Sequence, residues 1–268
     1  MYIENINSPK DIKELSVEQL SVLAEEVRTA LIRKLSEHGG HIGPNLGMVE
    51  TTIALHYVFN SPIDKIVFDV SHQSYVHKML TGRMAAFLDP AKYDDVTGYT
   101  NPDESEHDFF TIGHTSTSVS LAMGLAKGRD LTGGKENIIA VIGDGSLSGG
   151  EALEGLNNAA MLGSNMIIIV NDNDQSIAEN HGGLYKGLKE LRDTNGESPD
   201  NIFKAMGLEY YYLGAGHDVS ALIKLFTSVK DIERAVVLHI HTIKGKGLKY
   251  AEDNKAYWHA GGPFPIEN

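Results

Sequence analysis

Apolar residues follow two rhythms along the chain. Leu20, Leu23, Ala24, Val27, Leu31 and Leu35 recur three and four positions apart, which predicts a helix over 16–38. Ser16-Val17-Glu18-Gln19 supplies a capping box at its start and Gly39-Gly40 ends it. A second helix is predicted from Glu50 to Phe59. Short, unbroken apolar runs at 66–70, 137–142, 166–170, 209–213 and 234–242 predict strands. Between them, helices are predicted at 73–80, 115–131, 148–162 and 218–229, with a further capping-box pattern at Ser148-Gly149-Gly150-Glu151. The polar, glycine-containing stretch 179–199 is expected to be a mobile loop. Strands that are apolar throughout and alternate with helices predict an α/β fold, a parallel sheet with helices on both faces. No repeat, low-complexity tract or linker interrupts the pattern, so one domain is expected over 1–268.

The unit 137–170 carries the first chemical signal. A strand–helix–strand unit makes its strands parallel with a right-handed crossover, so both carboxyl ends meet one rim of the sheet. That rim is where open α/β folds bind ligands. Gly143-Asp144-Gly145 follows the first strand and Asn171-Asp172-Asn173 the second. The glycines allow close backbone approach, and the intervening helix points its positive N-terminal end at the rim, which suits phosphate. Aspartate and amide oxygens beside phosphates suit Mg2+, which keeps few protein ligands. A lone Gly-Asp-Gly is most often a turn. A dinucleotide fingerprint fits poorly, because the third glycine falls at 149 and an Asn-Asp-Asn run replaces a single ribose-binding acid. No Walker A loop is present.

Bulk properties narrow the classes. A net charge of −13 argues against broad contact with nucleic-acid phosphate, while a local site can still oppose it. The absence of cysteine excludes disulfides, zinc–thiolate sites and cysteine nucleophiles and fits a cytoplasmic setting. The opening MYIENINSPKDIKEL lacks signal-peptide order, and no apolar run nears the roughly 20 residues that span a bilayer, so no membrane partner is expected.

The Gly-Asp-Gly and Asn-Asp-Asn runs at this spacing are similar to the signature of thiamine-diphosphate enzymes. HIGPNLGMVETTIALHYVFN at 41–60, DVSHQSYVHKMLTGR at 69–83, ESEHDFFTIGHTSTSVSLAMGLAKGRDL at 104–131 and FKAMGLEYYYLGAGHDVSAL at 203–222 resemble the 1-deoxy-D-xylulose-5-phosphate synthase family within the transketolase superfamily. The resemblance runs from about residue 15 to 260. It implies thiamine diphosphate and Mg2+ as cofactors and pyruvate and glyceraldehyde 3-phosphate as substrates. It further implies that Asp144, Asn173 and the carbonyl of Gln175 bind the metal, with Gly145 and Ser146 offering backbone contacts to the diphosphate. His72, Gly113, His114 and Thr115 would line the cofactor pocket, Lys244 would approach the diphosphate, and His41 would stand near the reacting carbon. Imidazoles suit proton transfers near neutral pH. His259 is a weaker candidate, equally readable as part of a packed terminus; the other histidines are read as structural or unassigned.

Two departures from the family stand out. The match ends with the diphosphate-binding domain, so the chain is expected to hold half a cofactor site. The pyrimidine-binding domain would come from a missing C-terminal part or a separate subunit, within a homodimer. The stretch 176–203 is also short, and Tyr99-Thr100-Asn101-Pro102-Asp103 stands where a basic residue is expected. The alternatives are the N-terminal subunit of a split transketolase-like enzyme acting on another ketose or sugar phosphate, and a cofactor-binding module without turnover.

Overall fold

The computed structural model describes residues 1–266. Its centre is a five-stranded, wholly parallel sheet built from β1 (Lys65–Phe68), β2 (Ile138–Gly143), β3 (Met166–Asp172), β4 (Glu209–Leu213) and β5 (Ala235–His241), in the order β1-β2-β3-β5-β4. The principal helices are α1 (Val17–His38), α2 (Val49–Val58), α3 (Ser118–Thr132), α4 (Gly150–Ala159), α5 (Gly183–Asp193) and α6 (Val219–Val229).

Alternate side chains of each strand feed different cores, which is why the strands read as continuous apolar runs. Ile138, Ala140, Ile142, Ile168 and Val170 pack with α3, α4 and α5, while Ile139, Val141, Ile167, Ile169 and Leu238 pack with α2 and α6. On the far side of α2, Leu20, Leu23, Val27 and Leu31 of α1 meet Val49 and Ile53. The expected α/β architecture with helices on both faces is observed. Among the described residues no helix is long and apolar enough to cross a membrane.

Two local expectations are corrected. Residues 179–199 are not one loop, because α5 occupies Gly183–Asp193 and buries Leu188 and Leu191 against the sheet. The helix expected over 148–162 is observed as α4, and a separate single turn at Asp144–Leu147 precedes it. Ser148 therefore caps nothing: it lies in the first turn's helical end, its hydroxyl donates to the Gly145 carbonyl, and Gly149 takes the N-cap position of α4 without a side-chain cap. By contrast, the capping box at Ser16 and Gln19 forms as expected.

Residues 260–261 return to the chain's first glycine pair. Gly40 and His41 pair antiparallel with Gly261 and Ala260, and the Ile42 N–H donates to the His259 carbonyl at 3.0 Å. Gly39 makes this possible: its φ is +83°, and a Cβ there would lie 2.6 Å from the Gly261 carbonyl oxygen.

Candidate cofactor and cation site

The carboxyl ends of β1, β2, β3 and β5 open into one cleft of about 300 Å³. Gly143 is paired with Asn171 in the β2–β3 ladder, so Asp144 leaves the sheet beside Asp172. Asp144, Gly145, Ser146, Asn173, Gln175, His41, His72, Gly113, Thr115 and Lys244 all line the cleft. Ten of the eleven residues expected from sequence are thus brought together. His114 is not among them; it is exposed, and its Nδ1 lies 2.6 Å from the carbonyl oxygen of Thr115. Its expected place at a helix start is corrected too. α3 begins at Ser118, and Asp69 at the end of β1 accepts from its first N–H, that of Ser118, at 2.9 Å and from the Ser116 N–H ahead of it at 2.8 Å.

One end of the cleft centres on Asp144. Its Oδ2 accepts from the Gln175 N–H at 3.0 Å and from Asn180 Nδ2 at 2.8 Å. Burial, and then the charge of neighbouring Asp172, push Asp144 above the usual carboxylate range. Asn173 is 7% exposed, and its Oδ1 is buried with no hydrogen-bond partner. An unsatisfied amide oxygen beside a carboxylate that resists ionisation is a donor set short of a cation. Among the described residues no cluster of three or more His, Asp or Glu side chains could hold a metal alone. One carboxylate, one amide oxygen and one carbonyl therefore suit a hard ion that takes its remaining ligands from phosphate and water.

Lys244 is the cleft's buried cation. Its Nζ donates to the Ser176 carbonyl at 2.5 Å, and burial pushes it down to about 8 against the attraction of Asp144. The loop that carries it is held from behind by charged groups. Arg28 donates to the Lys246 carbonyl and pairs with Glu50; His217 Nδ1 stands 2.8 Å from Glu50, and its Nε2 accepts from the Ile243 N–H at 2.8 Å. Gly145 is required by the loop after β3 as much as by any ligand, since a Cβ there would lie 2.6 Å from Ser176 Cβ. Gly143, by contrast, faces open space.

The opposite wall is a group of imidazoles. The ring centroids of His41 and His72 lie 4.9 Å apart, those of His72 and His259 5.2 Å and those of His41 and His259 5.9 Å. Burial depresses all three: His72 well below its usual value, His259 to about 4, His41 less. They are therefore neutral at neutral pH, able to donate at one nitrogen and accept at the other. Nδ1 of His72 and of His259 is buried without a partner, as is Oε1 of Gln73. Asn45 fixes this wall: its Nδ2 donates to the carbonyls of His41 and His72, and its Oδ1 accepts from the Tyr75 N–H.

Sequence reasoning missed Asn45, Gln73, Tyr99 and Asn180. Gln73 had a legible signal, lying beside His72 in the quoted 69–83 motif. Asn45 likewise lies four residues after His41 in the quoted 41–60 motif, whereas Tyr99, whose ring centroid is 5.6 Å from that of His41, is reached only by tertiary folding, as is Asn180.

Comparison with known proteins bears on this geometry. A family model described as 1-deoxy-D-xylulose-5-phosphate synthase matches residues 3–198 and 193–242. A 1-deoxy-D-xylulose-5-phosphate synthase from Listeria monocytogenes serotype 4b is 45% identical over 271 residues, covering 98% of this chain and 44% of the relative. One from Caldanaerobacter subterraneus is 40% identical over 301 residues, covering 99% and 48%. The chain spans about half the length of the curated relatives it matches. Among solved structures, transketolase from Campylobacter jejuni superposes with a TM-score of 0.71 at 20% identity, covering 92% of this chain and 41% of that one. At that identity the likeness concerns the fold.

Proposed function

The chain belongs to the 1-deoxy-D-xylulose-5-phosphate synthase family, and from that premise we propose that its cleft is the diphosphate- and Mg2+-binding half of a thiamine-diphosphate site. When bound, thiamine diphosphate supplies the carbanion chemistry by which pyruvate is decarboxylated and joined to glyceraldehyde 3-phosphate. The observation that carries the reading is the buried, unpartnered Asn173 Oδ1 in the same cleft as the Asp144 carboxylate. Those two oxygens and the Gln175 carbonyl would hold Mg2+; Gly145 and Ser146 would offer backbone contacts to the diphosphate. Lys244, deep in the cleft, would meet it as a point charge.

The imidazoles of His41, His72 and His259 would hold or move protons near the reacting carbon. Their neutral state lets each accept a proton without first losing one. The pyrimidine-binding half would be supplied by a further domain or a separate subunit, in a cytoplasmic homodimer. Tyr99 supports a second reading, a split transketolase-like enzyme with another acceptor, because the segment that holds it against His41 carries Asn101 and Pro102 in place of a basic residue. Release of carbon dioxide from pyruvate by the chain mixed with its complementary domains supports the first reading alone.

Calorimetry with thiamine diphosphate and Mg2+ tests the site directly. Asp144→Ala should abolish Mg2+-dependent binding while circular dichroism stays that of the wild type. Unchanged affinity in that variant overturns the assignment.

A further inference from the structure

The loop between β3 and α5 is fastened to the site at three points. Asn180 Nδ2 donates to Asp144 Oδ2 at 2.8 Å, the Ser176 carbonyl accepts from Lys244 Nζ, and the Tyr185 hydroxyl donates to the Gly145 carbonyl at 3.3 Å. Asp174, at φ +60°, turns the chain back from β3 to form it. Ser176–Glu179 are exposed, so the loop owes its placement to these contacts more than to any core.

The Asp144 contacts are asymmetric in an informative way. A carboxylate oxygen has two lone-pair directions, and on Oδ2 both are met, one by the Gln175 N–H and one by Asn180. Neither donor touches Oδ1. The carboxylate can then offer a cation only one oxygen. Such monodentate presentation matches Mg2+, which demands near-octahedral geometry at roughly 2.0–2.1 Å, whereas Ca2+ readily takes both oxygens of a carboxylate at roughly 2.3–2.6 Å.

We infer that Asn180 is a positioning residue that sets the cation preference of this site, acting through Asp144 by occupying the second lone pair of Oδ2 and so barring bidentate coordination. The inference rests on the reading of the cleft as a cation–diphosphate site. Outer-shell partners of ligating carboxylates commonly contribute tenfold or more to metal affinity. Here, that contribution should be selective. Without Asn180, Oδ2 regains a free lone pair and the carboxylate gains rotational freedom; Mg2+ loses a held ligand while Ca2+ gains a second oxygen.

The experiment is Mn2+ titration of the chain, with and without thiamine diphosphate, followed by water-proton relaxation, and displacement of Mn2+ by Mg2+ or by Ca2+. Asn180 is half-buried in an otherwise exposed loop, so Asn180→Ala should fold. The expected result is about a tenfold loss of Mg2+ affinity with Ca2+ affinity unchanged or higher, so the Mg2+/Ca2+ ratio falls by about tenfold or more. A purely structural role would weaken both cations by one factor and leave the ratio alone. That outcome, or no change in either affinity, overturns the inference while binding abolished by Asp144→Ala keeps the functional reading. A wild-type chain that takes up no cation under either condition overturns both.

Discussion

Two aspartates stand side by side where β2 and β3 leave the sheet, and the protein treats them oppositely. Asp172 is given an imidazole and a guanidinium: His239 Nε2 lies 2.7 Å and Arg192 Nη1 2.6 Å from its Oδ2. Burial disfavours its charge, but His239 and Arg192 outweigh that and hold Asp172 below the usual carboxylate range. Asp144 is given only neutral donors, the Gly145 and Gln175 N–H groups and the Asn180 amide, and burial with the charge of Asp172 leaves it raised. The same division separates the two asparagines. Asn171 Oδ1 accepts from the Thr242 hydroxyl at 2.6 Å, whereas Asn173 Oδ1 has no partner. Asp172 and Asn171 are thus completed by the fold, and Asp144 with Asn173 is left to be completed by something else.

The largest effect should come from breaking the completed acid. Asp172→Ala leaves buried His239 without its carboxylate and Arg192 with only the exposed Asp174, and loss of one partner of a buried ion pair typically costs about 3–5 kcal/mol. Urea denaturation at neutral pH measures it; a loss under about 1 kcal/mol would contradict the division drawn between the two acids. A smaller loss, about 1–3 kcal/mol, is expected for Thr242→Val, which keeps the shape but leaves Asn171 Oδ1 buried without a donor. In that variant cation binding at Asp144 should persist. If Thr242→Val instead abolished cation binding with little loss of stability, Asn171 would belong to the site rather than to the scaffold.

How much of this was legible in the sequence follows from the same pairings. The strands were readable because both faces of each are buried, which turns them into unbroken apolar runs. Asp144 and Asn173 were readable because a β-α-β unit must deliver both to one rim. The fate of Asp172 was not, since its partners come from elsewhere: His239 from β5, and Arg192 from α5, in a stretch read as mobile. Leu184, Leu188 and Leu191 do recur at helical spacing there, but Gly182, Gly183 and Gly187 lower helix propensity and hide the signal. Ser148 misled in the opposite direction. The capping-box pattern was present, but the backbone had already begun a helical turn at Asp144, so the residue that could cap was inside a turn rather than before one.

The most diagnostic effect concerns the incomplete acid and has the opposite sign. The folded value of Asp144 is raised from 3.8 to about 8. The folded state then holds a proton that the unfolded chain has released, so the stability owed to this group is full below about pH 3.8 and is lost as pH rises towards 8. Asp144→Asn removes the titration and keeps an oxygen that can accept from the Gln175 N–H. In metal-free buffer the variant should therefore be more stable than the wild type at pH 8, as is common when a residue kept for function is relieved of its cost. The gap should open between pH 4 and pH 8 and level off above. Mg2+ with thiamine diphosphate should close or reverse it, because binding to the folded state stabilises only the wild type. Thermal denaturation across that range, with and without the ligands, reads both. A gap that is flat with pH would mean that Asp144 is satisfied without a cation, and the contrast between the two strand ends would vanish.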